Sequence, residues 1–225
     1  MNIININDWK NYFPYSSPRK QQEIVINKVL EEFKNKNKKY AIIDCGTGVG
    51  KSAIGLTIAQ SLINNSEYEK LYDNGAYFLT TQKILQNQYE DDFSKSTGLV
   101  SLYSSSNYTC SINKNTSCKE IQTGLRSKSI PSKFKSCQYD CIYKKLKKNF
   151  IEKNLGITNF SYFLTEKSFS KKIPNKRVLV IDEAHNLENE LSRFIEISIS
   201  EYFAEKILKL KLDKNIKTQH QTFLW

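Results

Sequence analysis

The amino-acid sequence predicts an α/β fold, a parallel sheet with helices on both faces. Three observations carry this. Short apolar runs, "YAIID" at 40–44, "AYFLTT" at 76–81 and "RVLVIDEAH" at 177–185, read as buried strands. Stretches with apolar residues at helical spacing alternate with them, as in sheets built from strand–helix–strand units. A glycine-rich loop, "CGTGVGKS" at 45–52, joins the first run to a helical stretch.

In chain order, residues 1–20 read as irregular, with the turn-like "FPYSSP". Residues 19–34, "RKQQEIVINKVLEEFK", place Ile24, Val25, Val29 and Phe33 at helical spacing. "NKNKK" is a solvated turn before the strand at 40–44. A helix is predicted from Lys51 to Ile63, then connecting surface, "SEYEKLYDNG". The strand at 76–81 leads into a helix, "QKILQNQYEDDF". Composition then shifts: residues 101–150 are rich in Ser, Lys and Cys with weak periodicity, the signature of an inserted subdomain. "ITNFSYFLTE" at 157–166 returns to apolar structure, "IEISI" at 195–199 alternates like a strand, and 201–212 look helical. The expected organisation is a first part of one lobe at 1–100, an insertion at 101–150, and the rest of the lobe at 151–225.

The totals narrow the class. The 225 residues suffice for one large domain or a domain with an insertion. A net charge of +11 suits a polyanionic partner, nucleic acid first and an anionic membrane surface second, or is a bias toward Lys and Asn with no partner. No apolar run approaches the roughly 20 residues of a membrane span, and the start lacks a signal-peptide pattern. The expectation is an intracellular protein without membrane association, cytoplasmic, or nuclear in a eukaryote. Five cysteines, an odd number, point away from a disulfide framework and toward a metal or cluster site.

Gly46, Gly48 and Gly50 let the backbone turn tightly and aim its N–H groups at an anion. Together with Thr47 and Val49 they form the loop, and the following helix adds its positive N-terminal end. Lys51 would reach the β- and γ-phosphates and the Ser52 hydroxyl would coordinate Mg²⁺. Cys45 stands where the pattern usually opens with Gly or Ala. The bland alternative is a Gly-rich turn that meets a Lys by chance. Asp182 and Glu183 follow four apolar residues, which puts them at the C-terminal edge of a parallel sheet. Asp182 would hold the Mg²⁺ shell and Glu183 would orient and deprotonate an attacking water. His185 would sense the γ-phosphate and couple it to the nucleic-acid side. The bland alternative here is an acidic helix start.

"GTGVGKS" with "DEAH" resembles the ATPase motifs of superfamily 2 helicases, which implies a RecA-like lobe. "FPYSSPRKQQEI" is similar to the opening segment of the XPD/DinG group, which implies that Gln22 reads the adenine edge. "YFLTTQKILQNQYEDDF" resembles that group's nucleic-acid-contacting segment and implies contacts at Thr80, Thr81 and Gln82. "ITNFSYFL" and "DEAHNLE" follow its spelling too. The resemblance covers nearly all of residues 12–192 and implies ATP-dependent movement on single-stranded or forked DNA, with duplex unwinding.

Cys110, Cys118, Cys137 and Cys141 lie between the two ATPase motifs. Spacing alone leaves a [4Fe–4S] cluster and a structural zinc site open, with unliganded buried thiols as a third option. The resemblance implies the iron–sulfur cluster, which the XPD/DinG group carries at this place. The insertion also has ten basic residues, and its aromatics Tyr139 and Tyr143 lie beside Lys144, Lys145, Lys147 and Lys148. Lys residues can track a phosphate backbone while aromatic faces stack on unpaired bases. "KKLKK" read blandly is a solvated helix face.

A helicase of this group works with a second RecA-like lobe that supplies an arginine finger. The roughly 35 residues after "DEAHNLE" are too few for one, so the sequence leaves open a separate lobe or larger complex. Two other readings stand beside a catalytic lobe: a non-catalytic single-strand-binding module, and a nucleotide-dependent subunit of a larger assembly.

Overall fold

The computed structural model describes residues 6–35, 38–64, 73–127, 129, 141–196, 202–207, 209 and 221. Two compact units are present, Met1–Glu190 and Leu191–Trp225. The first contains a four-stranded sheet: β1 (Asp73–Thr80), β2 (Val100–Leu102), β3 (Leu155–Asn159) and β4 (Lys176–Ile181), in the order β2-β3-β1-β4. Every pairing is parallel, with Phe78 opposite both Ile157 and Val180.

Alternation along β1 divides the core. Ala76 and Phe78 face one layer, built by α1 (Lys20–Asn35), α2 (Lys51–Asn64) and α3 (Lys83–Thr97). Tyr77 and Leu79 face the other, built by α4 (Cys118–Arg126), α5 (Ile142–Glu152) and α6 (Phe160–Thr165). The predicted parallel α/β sheet with helices on both faces is therefore the observed architecture.

Helix α1 buries Gln22, Ile26 and Leu30, whereas Ile24 is exposed, so the apolar stripe is rotated from the expected one. The nominally irregular N-terminus contains a 3-10 segment, Ile6–Tyr12. Its Trp9 is buried and donates its indole N–H to Asn27 Oδ1 at 2.7 Å. Helix α3 ends at Gly98, whose φ of 70° is the left-handed conformation that closes helices. Helix α4 begins with a reciprocal capping box between Ser117 and Glu120.

Two expectations need correction. Residues 40–44 join no ladder, and Tyr40 and Ile42 are 87% and 97% exposed. Apolar residues form a buried strand only when a neighbouring strand accepts their backbone groups, and among the described residues none pairs with this run. Second, the weakly periodic stretch opens as sheet: β2 pairs with β3, and Thr158 Oγ1 donates to Leu102 O at 2.6 Å. A three-residue strand is too short to show a period.

In the second unit Phe203–Ile207 form a π-helical turn. Helix α7 (Leu187–Ile195) includes the first residue of the "IEISI" run; residues 197–200, and most of the helix expected at 201–212, lie outside the described residues.

Candidate nucleotide site and cysteine layer

Parallel pairing brings the ends of β1, β3 and β4 to one edge, with Thr80, Asn159 and Ile181 as their last residues. The phosphate loop turns through Gly48 and Gly50, whose φ values of 77° and 86° are left-handed and suit glycine. A Cβ on Gly50 would lie 2.5 Å from Gln22 Nε2. The Lys51 ammonium folds back onto the loop and donates to Cys45 O at 3.2 Å.

Helix α1 ties this loop down. Gln22 Nε2 donates to Val49 O at 2.9 Å, and its Oε1 accepts from Arg19 N at 2.8 Å. The Arg19 guanidinium donates to Gly48 O at 2.7 Å. Gln22, expected to read adenine, is buried with both amide atoms engaged by the chain itself. The sequence reading missed Arg19; the only signal for it was its place three residues before Gln22.

The acidic strand end is equally constrained. Asp182 N donates to Leu79 O at 2.9 Å and continues the β1–β4 pairing past the strand. Asp182 Oδ1 accepts from Glu183 N at 2.9 Å, and Oδ2 accepts from the Tyr89 hydroxyl at 3.0 Å. Ser52, expected with Asp182 to hold Mg²⁺, is close enough to the same phenol to act on it. An oxygen-only pair of hydroxyl and carboxylate fits a hard divalent cation. Burial first, and then the Asp182 charge, push the Tyr89 pKa far up, so the phenol is a donor. Glu183 has a φ of 54°, unusual for a side chain of its size and of a kind that clusters at functional sites. Its Oε2 lies 3.2 Å from Nδ1 of the exposed His185.

A parallel sheet with a phosphate loop and an Asp–Glu pair defines an ATP-binding lobe of the superfamily 2 helicase type. The chain belongs to the family described as type III restriction enzyme, res subunit, whose profile matches residues 15–212. A comparison with curated proteins gave no match.

On the opposite face of the sheet, Cys110, Cys118 and Cys141 are buried among the aromatic residues of α5 and α6. Cys118 and Cys141 are 3.8 Å apart, sulfur to sulfur. Burial, then Cys141, and more weakly Cys110, push the Cys118 thiol up to about 11. Cys137 lies outside the described residues, and among those described no three His, Cys, Asp or Glu side chains are placed to enclose an ion.

The residues expected to touch nucleic acid are dispersed. Thr80 is buried, and its hydroxyl is turned to Gln82 O at 3.2 Å. Tyr143 is 6% exposed and its hydroxyl meets that of Tyr162 at 2.6 Å, so no base can stack on it here. The Lys147 ammonium pairs with Glu166 at 2.5 Å, both side chains 14% exposed. Positions 143 and 147 fall on the inward side of α5, which an amphipathic helix with a basic outer face conceals in the sequence. Lys144, Lys145 and Lys148 are on its outer side, Lys148 within 3.8 Å of Glu152. Tyr139 lies outside the described residues. Gln82 is exposed, and Thr81 O accepts from Asn159 Nδ2 at 3.0 Å. Asn159 Oδ1 also caps α6 through Ser161 N at 3.0 Å. Beside these residues lies a cavity of about 290 Å³, lined in part by Lys83, Tyr103, Asn107 and Asn159. No described helix is long and apolar enough to cross a membrane.

Proposed function

We propose that the chain is the ATP-binding lobe of an XPD/DinG-like DNA helicase, which couples ATP hydrolysis to movement on single-stranded DNA. The observation that supports this most is the Asp182 carboxylate at the end of β4, fixed through both oxygens by Glu183 N and the Tyr89 hydroxyl, in a chain whose phosphate loop turns through Gly48 and Gly50. That constellation serves phosphoryl transfer, where positioning and charge stabilisation do most of the catalytic work.

In this mechanism the backbone N–H groups of residues 46–50 and the N-terminus of α2 take the phosphates. Lys51 leaves Cys45 O and turns to the β- and γ-oxygens. Ser52 and Asp182 hold the cation, which when bound neutralises charge on those oxygens. Glu183, beside Asp182, accepts the proton of the attacking water, and His185 relays its state toward the nucleic acid. Gln82 and Thr81, with the outer lysines Lys144, Lys145 and Lys148, contact the strand. An arginine finger and the other half of the track come from a second lobe.

The resemblance to the XPD/DinG group supports a [4Fe–4S] cluster held by Cys110, Cys118, Cys137 and Cys141, and three buried thiols are the donors such a group takes. A bound cluster or ion would cross-link the cysteine layer. The 3.8 Å between Cys118 and Cys141 favours zinc as the second reading. With Zn–S bonds near 2.3 Å, one tetrahedral ion separates its sulfurs by roughly 3.8 Å.

The test is Mg²⁺-dependent ATP hydrolysis with and without single-stranded DNA, plus iron, sulfide and zinc analysis of anaerobically purified protein. Hydrolysis stimulated by single strands supports the helicase reading. Tight strand binding with no ATP binding would replace it with the non-catalytic module, and zinc without iron would replace the cluster.

A further inference from the structure

We infer that Tyr89 is a positioning residue for the metal site, holding the Asp182 carboxylate in the orientation that receives the nucleotide-bound cation. The inference rests on the ATPase reading above and goes beyond it, since the motif segment that contains Tyr89 implies strand contacts at Thr80, Thr81 and Gln82 and gives Tyr89 no part in the metal site.

Tyr89 lies midway along α3, 93 positions before Asp182, and is 3% exposed. Its ring is wedged between Phe78 of β1, with centroids 5.9 Å apart, and Phe93, 5.6 Å away and nearly perpendicular. The phenol therefore has little freedom to swing. A buried hydroxyl needs a hydrogen-bond partner, and this one takes Asp182 Oδ2 at 3.0 Å. With Oδ1 held by Glu183 N at 2.9 Å, both carboxylate oxygens are oriented, one by backbone and one by Tyr89. Each retains a lone pair for a cation. Ser52, whose hydroxyl is assigned to the same cation, also acts on this phenol. The fixed phenol thus orients the carboxylate assigned to the cation. Outer partners of this kind typically change metal affinity by about 10- to 100-fold when removed.

Tyr89→Phe keeps the ring and removes only the hydroxyl. The experiment is equilibrium binding of a fluorescent ATP analogue to the full chain, in EDTA and across a Mg²⁺ titration. The expected result is unchanged affinity in EDTA and a roughly tenfold rise in the Mg²⁺ concentration for half-maximal binding. Tyr89→Met is a second hydroxyl-free variant should Y89F not stay folded, and it shifts the same way. Phe78→Leu loosens the same packing without touching the hydroxyl and leaves the Mg²⁺ midpoint in place. In an Asp182→Asn background, Y89F has no further effect, because the carboxylate it orients is gone. A Mg²⁺ midpoint unchanged by both hydroxyl-free variants, or shifted as much by F78L, makes Tyr89 core packing alone and overturns the inference. Wild-type protein that binds no nucleotide in Mg²⁺ overturns the ATPase reading as well. Loss of binding in EDTA and Mg²⁺ alike by Lys51→Ala, with Mg²⁺-dependent binding in wild type, keeps the two failures apart.

Discussion

The two faces of the sheet are held together differently. On the nucleotide face, side chains far apart in sequence grip backbone carbonyls and one carboxylate: Gln22 on Val49, Arg19 on Gly48, Tyr89 on Asp182. On the cysteine face, rings and thiols are packed: Tyr77 stacks on Phe150 at 5.3 Å, Tyr108 tilts against Tyr143 at 5.7 Å, and three cysteines are buried beneath. On the first face Gln22, Arg19 and Asp182 already have partners within the chain. The second is an apolar layer tied by the Lys147–Glu166 ion pair and the Tyr143–Tyr162 hydroxyl pair, with thiols that could serve as metal donors. The difference teaches that a site built from backbone groups can be assembled before its ligand arrives, whereas the metal proposed for the thiols would itself have to draw them together.

The largest expected effect separates the faces outright. Lys51→Ala should weaken Mg·ATP binding by on the order of 3 kcal/mol or more, over a hundredfold, because it removes charge-assisted bonds to the phosphates. Glu183→Gln should retain binding and lose turnover. Calorimetry beside single-turnover hydrolysis checks both, and both should leave the metal content of the cysteine layer unchanged. Equal ATP affinity in Lys51→Ala and wild type would sink the phosphate-loop reading.

Cys118→Ser should do the reverse. Metal content should fall and residues 103–152 should become more sensitive to protease, while Mg·ATP affinity stays within about twofold, as expected for distant sites that share no partner. Loss of nucleotide binding in this variant would show that the faces are not independent.

Lys147→Ala tests the polar tie of the second face. It leaves the part-buried Glu166 unpaired, at a cost of about 3 kcal/mol, the lower end for breaking a buried pair. The pH dependence follows. Burial pushes the Glu166 carboxyl up, but its bonds from Lys147 and Ser170 outweigh that and hold it below the usual carboxylate range. A folded value below the unfolded one means that the stabilisation is complete above the ordinary Glu range, near about pH 4.3, and fades as pH falls through the depressed value. Denaturant melts between neutral and acid pH should show this loss in wild type and a smaller one in Lys147→Ala, where the Ser170 bond remains.

Gly156→Ala probes the packing. An added Cβ would come within 2.6 Å of the Phe150 ring, and overpacking of this kind costs about 1–3 kcal/mol. The smallest effect belongs to Arg19→Ala, which removes one exposed bond to the phosphate loop and should cost about 1 kcal/mol of nucleotide affinity.

Much of the nucleotide site was legible in sequence because its chemistry is local. Glycines at 46, 48 and 50 specify a turn, and Lys51 and Ser52 follow where a helix must begin. Asp182 and Glu183 end an apolar run, and that alone sets them at the strand edge. Tyr89 was illegible, since nothing in "QNQYEDDF" tells which side chain faces the sheet or which carboxylate it will meet 93 residues later. The inward turn of Tyr143 and Lys147 was illegible for a related reason: composition made α5 basic and aromatic, but only its docking on the sheet turned those two inward.

By itself the sequence determined the alternation of strands and helices, the phosphate loop, the acidic strand end and the gathering of four cysteines in one stretch. Glycine conformation, apolar period and residue type act over a few residues, so these survive without knowledge of the fold. Only the tertiary structure decided the strand order β2-β3-β1-β4, the exposure of residues 40–44, the burial of Trp9, and the bond from the Tyr89 phenol to Asp182. Each depends on which surfaces meet when the chain collapses, because burial and hydrogen-bond partners belong to pairs of distant residues and to neither alone.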